Sequence, residues 1–115
     1  MRGFIYVISD KNSDKVYVGS SKKKRLNDRI SDHKYAYKYK RCINSRLIFD
    51  CDEWEAQIID EIEYDDPFEL LLLEQAYMDD IAYDYDLVNG HRAIRHNHPK
   101  LLENKYQLLM KPCNY

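Results

Sequence analysis

A chain of 115 residues, 44% hydrophobic and 33% charged, is long enough for one modest core and too apolar for a disordered segment. Its formal charge of −2, taken alone, counts against nucleic-acid binding. The longest aliphatic run, Leu70 to Leu73, stops at Glu74, far short of the roughly 18 residues of a membrane span. The opening MRGFIYVISDKNSDK has neither the apolar core nor the cleavage site of a secretory signal, so an intracellular protein without a membrane partner is expected.

From Gly3 to Ser9 the chain alternates, with Phe4, Tyr6 and Ile8 pointing one way and Ile5 and Val7 the other, which predicts a strand. The polar stretch Asp10 to Asp14 reverses the chain, and Val16 to Gly19 resumes it, giving a hairpin with Tyr6 and Tyr17 on neighbouring strands. Ser20 or Ser21 is placed to cap a helix whose inward stripe is Leu26, Ile30, His33 and Tyr37, with Arg29 at its flank. A short helix starting near Asn44 or Ser45 carries Leu47, Ile48 and Phe49. Trp54, Ala56, Ile58 and Ile62 share a parity and favour a third strand over a helix. Asp66, Pro67 and Glu69 form a strong helix start, and the helix runs to about Ile81. Asn89-Gly90 breaks the chain, and residues 100–109 make a last helix or an irregular wrap. The expected class is α+β: a small, three-stranded, mainly antiparallel sheet flanked by helices. One domain is expected over 1–115, with a motif-bearing core of about 3–90 and an extension of about 91–115.

Charge is segregated. Between Lys22 and Arg46 there are ten Lys or Arg against Asp28 and Asp32, whereas Asp50 to Asp86 holds fifteen Asp or Glu and no Lys or Arg. A local basic surface holds a phosphate backbone even on a slightly acidic molecule. The candidate contacts are Lys22, Lys23, Lys24, Lys34, Lys38, Lys40 and Arg41; a solvated helix balanced by acidic neighbours is the alternative. Cys42, Cys51 and Cys113 lack close pair spacing and read as free thiols, with a single disulfide as the alternative. His91, His96 and His98 read as surface histidines in preference to a zinc set.

Three features stand apart from ordinary packing. Glu74 lies mid-helix, with Leu70 and Leu71 one turn before it, Tyr77 one turn after and Ile81 two turns on, so its carboxylate is expected in apolar surroundings that call for a cation or several donors. It would otherwise sit at the helix edge in an ordinary ion pair. Arg29 and His33 are one helical turn apart; the first suits phosphate oxygens, and the second can move a proton or orient a tyrosine. Taken singly they read as a surface charge and a core histidine. Tyr6 and Tyr17 gain chemistry only beside a cation.

Together these residues resemble the GIY-YIG nuclease family, whose order is a G-I-Y strand, a polar loop, a Y-[IV]-G strand and a helix carrying R-x-x-x-H. Here Phe4-Ile5-Tyr6, Tyr17-Val18-Gly19 and Arg29 to His33 stand at those positions, with Glu74 at the family's later glutamate and Asn89 at its asparagine. The sequence departs from the pattern at Phe4, where Gly3 immediately precedes, and at Ser20, where some members have a lysine. It also lacks the histidine that some relatives carry between the first two helices. The resemblance implies metal-dependent cleavage of nucleic acid, DNA above RNA. Glu74 would bind Mg²⁺ or Mn²⁺, Arg29 would neutralise the phosphate, and one of Tyr6 and Tyr17 (the latter favoured) would activate water. His33 would assist, and Asn89 would support the site through backbone or water. Targeting would come from this small surface, an oligomer or a protein partner. A non-catalytic nucleic-acid-binding module and a protein-interaction domain are the alternatives.

Overall fold

The computed structural model describes residues 1–39, 45–50, 53–90 and 92–103. Strand β1 (Arg2–Asp10) runs antiparallel to β2 (Lys15–Ser21) on one side and to β3 (Trp54–Glu63) on the other. A two-residue strand, β4 (Asp86–Leu87), joins the far side of β2 in parallel, completing the order β3-β1-β2-β4. The sheet therefore has four strands and is mixed. The expected third strand is present, and the additional β4 is too short to carry an alternating pattern.

Because β1 is central, helices cover both of its faces, and the alternation read from its sequence sorts side chains into two layers. Phe4, Tyr6 and Ile8 pack with Ile30 of α1 (Leu26–Lys38) and Ile48 of α2 (Arg46–Phe49). Ile5 and Val7, joined by Val16 and Val18 of β2, pack against Leu70 and Met78 of α3 (Pro67–Ile81). Gly3 belongs to this second layer. A Cβ there would stand 2.9 Å from the Leu70 side chain and 3.1 Å from the Ser21 carbonyl, so its bareness lets the start of α3 approach the sheet.

The strong start of α3 is as expected: Asp66 accepts from the Phe68 amide at 3.0 Å, Glu69 accepts from the Asp66 amide, and Pro67 fills the first turn. Three other expectations need correction. Ser20 and Ser21 lie within β2 and do not cap α1; the residue before α1 is Arg25, which makes no side-chain cap, while the Ser21 hydroxyl accepts from the Lys23 amide. A bulge opposite Ile5 and Tyr6 shifts β3, so Trp54 and Ala56 pack with the α1 layer and Ile62 with the α3 layer although they share a parity. Leu71 is 38% exposed, because the second buried side of α3 runs through Phe68 and Leu72, against Ile94 and Leu101 of the C-terminal wrap.

The described part of that wrap holds a 3₁₀ turn, Pro99–Leu102, capped by His98 and tied down where Lys100 pairs with Asp66; residues 104–109 of the expected last element lie outside the described residues. Buried Gln75 accepts from the Ile94 amide and donates to Asp79. The three cysteines, His91, Lys40 and Arg41 lie outside the described residues. No helix among the described residues is long and apolar enough to cross a membrane.

Candidate active site at the outer edge of the hairpin

Tyr6 lies at the centre of the site's buried half and is wholly inaccessible. It pairs across the hairpin with Gly19, and the absence of a side chain there lets the phenol cross β2: a Cβ on Gly19 would sit 2.4 Å from both Cζ and Oη of Tyr6. The phenol ends 2.7 Å from Nε2 of His33, on the inward stripe of α1. The Nδ1 atom of His33 lies 2.8 Å from the hydroxyl of Ser45, itself fully buried beside α2. Burial, with the Arg29 charge second, lowers the imidazole pKa to about 4, so His33 is neutral at pH 7 with one donating and one accepting nitrogen.

Tyr17 is two residues before Gly19 on β2 and so projects to the same face. Its ring lies 6.4 Å from that of Tyr6 and meets the His33 imidazole edge-on at 5.2 Å. Unlike Tyr6 it is only half-buried. Tyr6, His33 and Ser45 form one continuous hydrogen-bonded chain into the core, and the Tyr17 ring stands beside its outer end. Burial raises both phenol pKa values; for Tyr17 the Glu74 carboxylate is the next cause, while Arg29 opposes the rise.

The outer edge of β2 brings in the other half. Alternate residues of an edge strand turn their amides away from the paired neighbour, and these need partners. Val16 and Val18 do so, and the edge is filled in order. The Val88 amide donates to the Val16 carbonyl at 2.9 Å. The Asn89 side chain accepts from the Val18 amide at 3.0 Å and donates to the Val18 carbonyl at 2.7 Å, imitating a strand residue. Two residues further along, Ser20 stands beside the carboxylate of Glu74 and works to lower its pKa. Glu74 is half-buried, and burial raises its pKa, partly offset by Ser20 and then by the Arg29 charge.

Arg29 faces this edge from α1. Its guanidinium lies 6.0 Å from the centre of the Tyr6 ring and 3.7 Å from Asp32, and its buried Nε has no hydrogen-bond partner among the described residues. Beside it opens a cleft of about 400 Å³, lined by Ser20, Ser21, Lys22, Lys23, Arg29 and Asp32 on one side and by Pro67, Leu70 and Leu71 on the other. A guanidinium on the wall of an open, cationic cleft is suited to an anionic oxygen.

Of the residues singled out from sequence, Tyr6, Tyr17, Arg29, His33 and Glu74 converge here, and Asn89 stands beside them, bonded to Val18 of β2. Lys22 and Lys23 line the cleft, with Lys24 adjoining. Lys34 and Lys38 do not line it: their ammonium groups lie 5.2 Å from the Trp54 ring and 5.7 Å from the Tyr39 ring. Ser20 and Ser45 are the two contributors the sequence did not assign to the site. Neither has a motif or period; Ser45 registers only as a helix start.

Among the described residues, no group of three or more His, Cys, Asp or Glu side chains is gathered as a metal cage. No curated protein and no solved structure gives a significant match to the chain. A family model for the GIY-YIG catalytic domain, however, matches residues 2–82, covering all three helices and every strand of the sheet but β4. The family's members are endonucleases, and the match takes in Tyr6, Tyr17, Arg29, His33 and Glu74. The chain belongs to the GIY-YIG family of nuclease domains.

Proposed function

We propose that this domain hydrolyses phosphodiester bonds of nucleic acid, DNA foremost, with the help of Mg²⁺ or Mn²⁺ held at Glu74. The observation that carries the reading is the gathering, around an arginine that lines a cationic cleft, of a half-buried carboxylate, two phenols and a neutral imidazole, close enough for their charges to shift one another's pKa values. The donor set among the described residues fits a hard cation: a single carboxylate, with both nitrogens of His33 engaged by Tyr6 and Ser45, suits an ion that keeps much of its water and takes further oxygens from a phosphate. Bound there, the ion would neutralise phosphate charge and make a nearby water more acidic.

The protein's own groups divide the remaining work. Arg29, which lines the cleft, holds a non-bridging phosphate oxygen through the terminal N–H groups of its guanidinium and stabilises charge as the phosphorus becomes pentavalent. Tyr17, the more exposed phenol, accepts the proton of the attacking water at its oxygen while its own hydroxyl proton passes to Tyr6. The Tyr6 proton passes in turn to Nε2 of His33. That direction requires Nδ1–H to donate to Ser45, which leaves Nε2 free to accept. Asn89 acts through the backbone, keeping β2 straight beside Glu74.

The test is a nicking assay on single-stranded, duplex, branched and RNA substrates with Mg²⁺, Mn²⁺ or a chelator, alongside Arg29→Ala. Cleavage that needs the metal and falls by about 10²-fold or more without Arg29 is expected; cleavage indifferent to both would refute the reading. A second reading, nucleic-acid binding without cleavage, is favoured by Ser20, which stands beside the Glu74 carboxylate at the position where some members have a lysine. It predicts metal-independent binding and no product with any cation.

A further inference from the structure

The cleft beside Arg29 does not end at Lys22 and Lys23. These two residues also line a second cleft of about 320 Å³, which continues past Lys24 to Arg2, Gly3 and Phe4. The walls of the first cleft differ in kind: cations from the segment after β2 face Pro67, Leu70 and the exposed side of Leu71. Such a channel suits one strand of nucleic acid, with phosphates along the cationic wall and sugar and base faces against the apolar one. A duplex would bring a second row of phosphates to the apolar wall, where nothing compensates them.

We infer that a single, unpaired strand of the substrate runs from the phosphate at Arg29 through both clefts, past Lys22, Lys23 and Lys24, to Arg2. This deepens the nuclease reading and rests on it, making the preferred substrate one with an unpaired strand flanking the cut. The basic outer face of α1 is not the track. Two acidic residues stand along the path, each already paired: Asp32 with Lys23 at 2.9 Å, and Glu61 with Arg2 at 2.9 Å. Both pairs are exposed and weak, so a phosphate displaces them readily. Glu61 thus acts as a brake on binding at the far end of the channel.

The experiment measures fluorescence anisotropy of a labelled single-stranded oligonucleotide, and of the blunt duplex of the same sequence, in chelator across a salt series. The single strand is expected to bind more tightly than the duplex. Arg2→Glu with Lys24→Glu should weaken it about fivefold or more and flatten the dependence of log affinity on log salt by about 1 to 2. Glu61→Gln should tighten it about twofold, a gain that impaired folding would not produce. Lys11→Glu, on the hairpin loop, controls for net charge.

Tighter duplex binding, no response at Arg2, Lys24 and Glu61, or a larger loss from Lys34→Glu with Lys38→Glu would overturn the track, as would no binding at low salt. The two readings fail separately. Metal-dependent cleavage by a protein whose binding ignores Arg2 and Lys24 removes the track and leaves the nuclease. Binding through the track with no cleavage under Mg²⁺ or Mn²⁺ removes the nuclease and leaves the track.

Discussion

Replacing Gly19 by alanine tests the packing on which the site depends. The added Cβ would lie 2.4 Å from Cζ and Oη of Tyr6 and 2.9 Å from Cε1, against an ordinary contact of 3.4–4 Å, so the ring must move by about an ångström. It has little room to do so. Tyr6 is fully buried, flanked by Phe4 and His33 rings, and its hydroxyl is committed to His33. Overpacking of this kind costs about 1–3 kcal/mol, and breaking the buried phenol–imidazole bond adds about 1–2, giving about 2–5 kcal/mol in all. Urea unfolding of wild type and Gly19→Ala, repeated in a Tyr6→Leu background, measures it. Leucine lacks Cε1, Cζ and Oη, so the same glycine change should then cost less than about 1 kcal/mol. An equal cost in both backgrounds, or a wild-type cost below about 0.5 kcal/mol, would show that Gly19 does not serve to make room for Tyr6.

Glu74→Gln removes a charge that burial disfavours, so without metal the variant should melt at or above the wild-type temperature near neutral pH, while the added stability from Mg²⁺ or Mn²⁺ and the cleavage both disappear; a less stable variant that retains both would end the metal assignment. His33 sets an acid limit: its folded pKa of about 4 lies below the 6.5 of the free group, so its contribution is complete above about 6.5 and is lost as pH falls towards 4, amounting to about 3 kcal/mol. Denaturation curves against pH should show that loss in wild type and not in His33→Gln, whereas Glu74, whose pKa is raised, contributes in the opposite sense as pH rises past its usual carboxylate range. Ser45→Ala should cost about 1–3 kcal/mol by stranding Nδ1 of His33 and should slow cleavage roughly tenfold by releasing the tautomer; unchanged cleavage would remove the relay.

The parts of this fold that can be read from sequence are those governed by local rules. The alternation of β1 sorts Phe4, Tyr6 and Ile8 from Ile5 and Val7 because a pleated strand has no other option, and Asp66-Pro67 with Glu69 satisfies the first amides of α3 whatever lies nearby. What escapes depends on distant partners. The bulge in β3 arises from its register against Ile5 and Tyr6, so nothing in Trp54 to Ile62 announces it. Leu71 is exposed because Ile94 covers Phe68 and Leu72 instead, a choice made some twenty residues away. The site divides in the same manner: Tyr6, Tyr17, Arg29, His33 and Glu74 are legible through their order and spacing, while Ser45 is reached only through the fold that brings α2 beneath α1.

The position of the site follows from an unfilled edge. A hairpin strand left open on one side has amides and carbonyls that must be satisfied, and β4 serves only its first residues, Lys15 and Val16. Extending β4 would have satisfied the rest and closed the strand. Instead, after Val88, side chains take over: Asn89 occupies both groups of Val18, and the Glu74 carboxylate stands beside Ser20. Glu74 thus stands half-buried beside an edge that a further strand would have covered, with the Arg29 charge near enough to lower its pKa. In the proposed nuclease reading the cation and the phosphate would meet beside this edge, while Tyr6, His33 and Ser45 lie on the adjoining sheet face, sealed by the α1 and α2 layer. Groups that would need water and groups shielded from it are then separated by the thickness of a single strand.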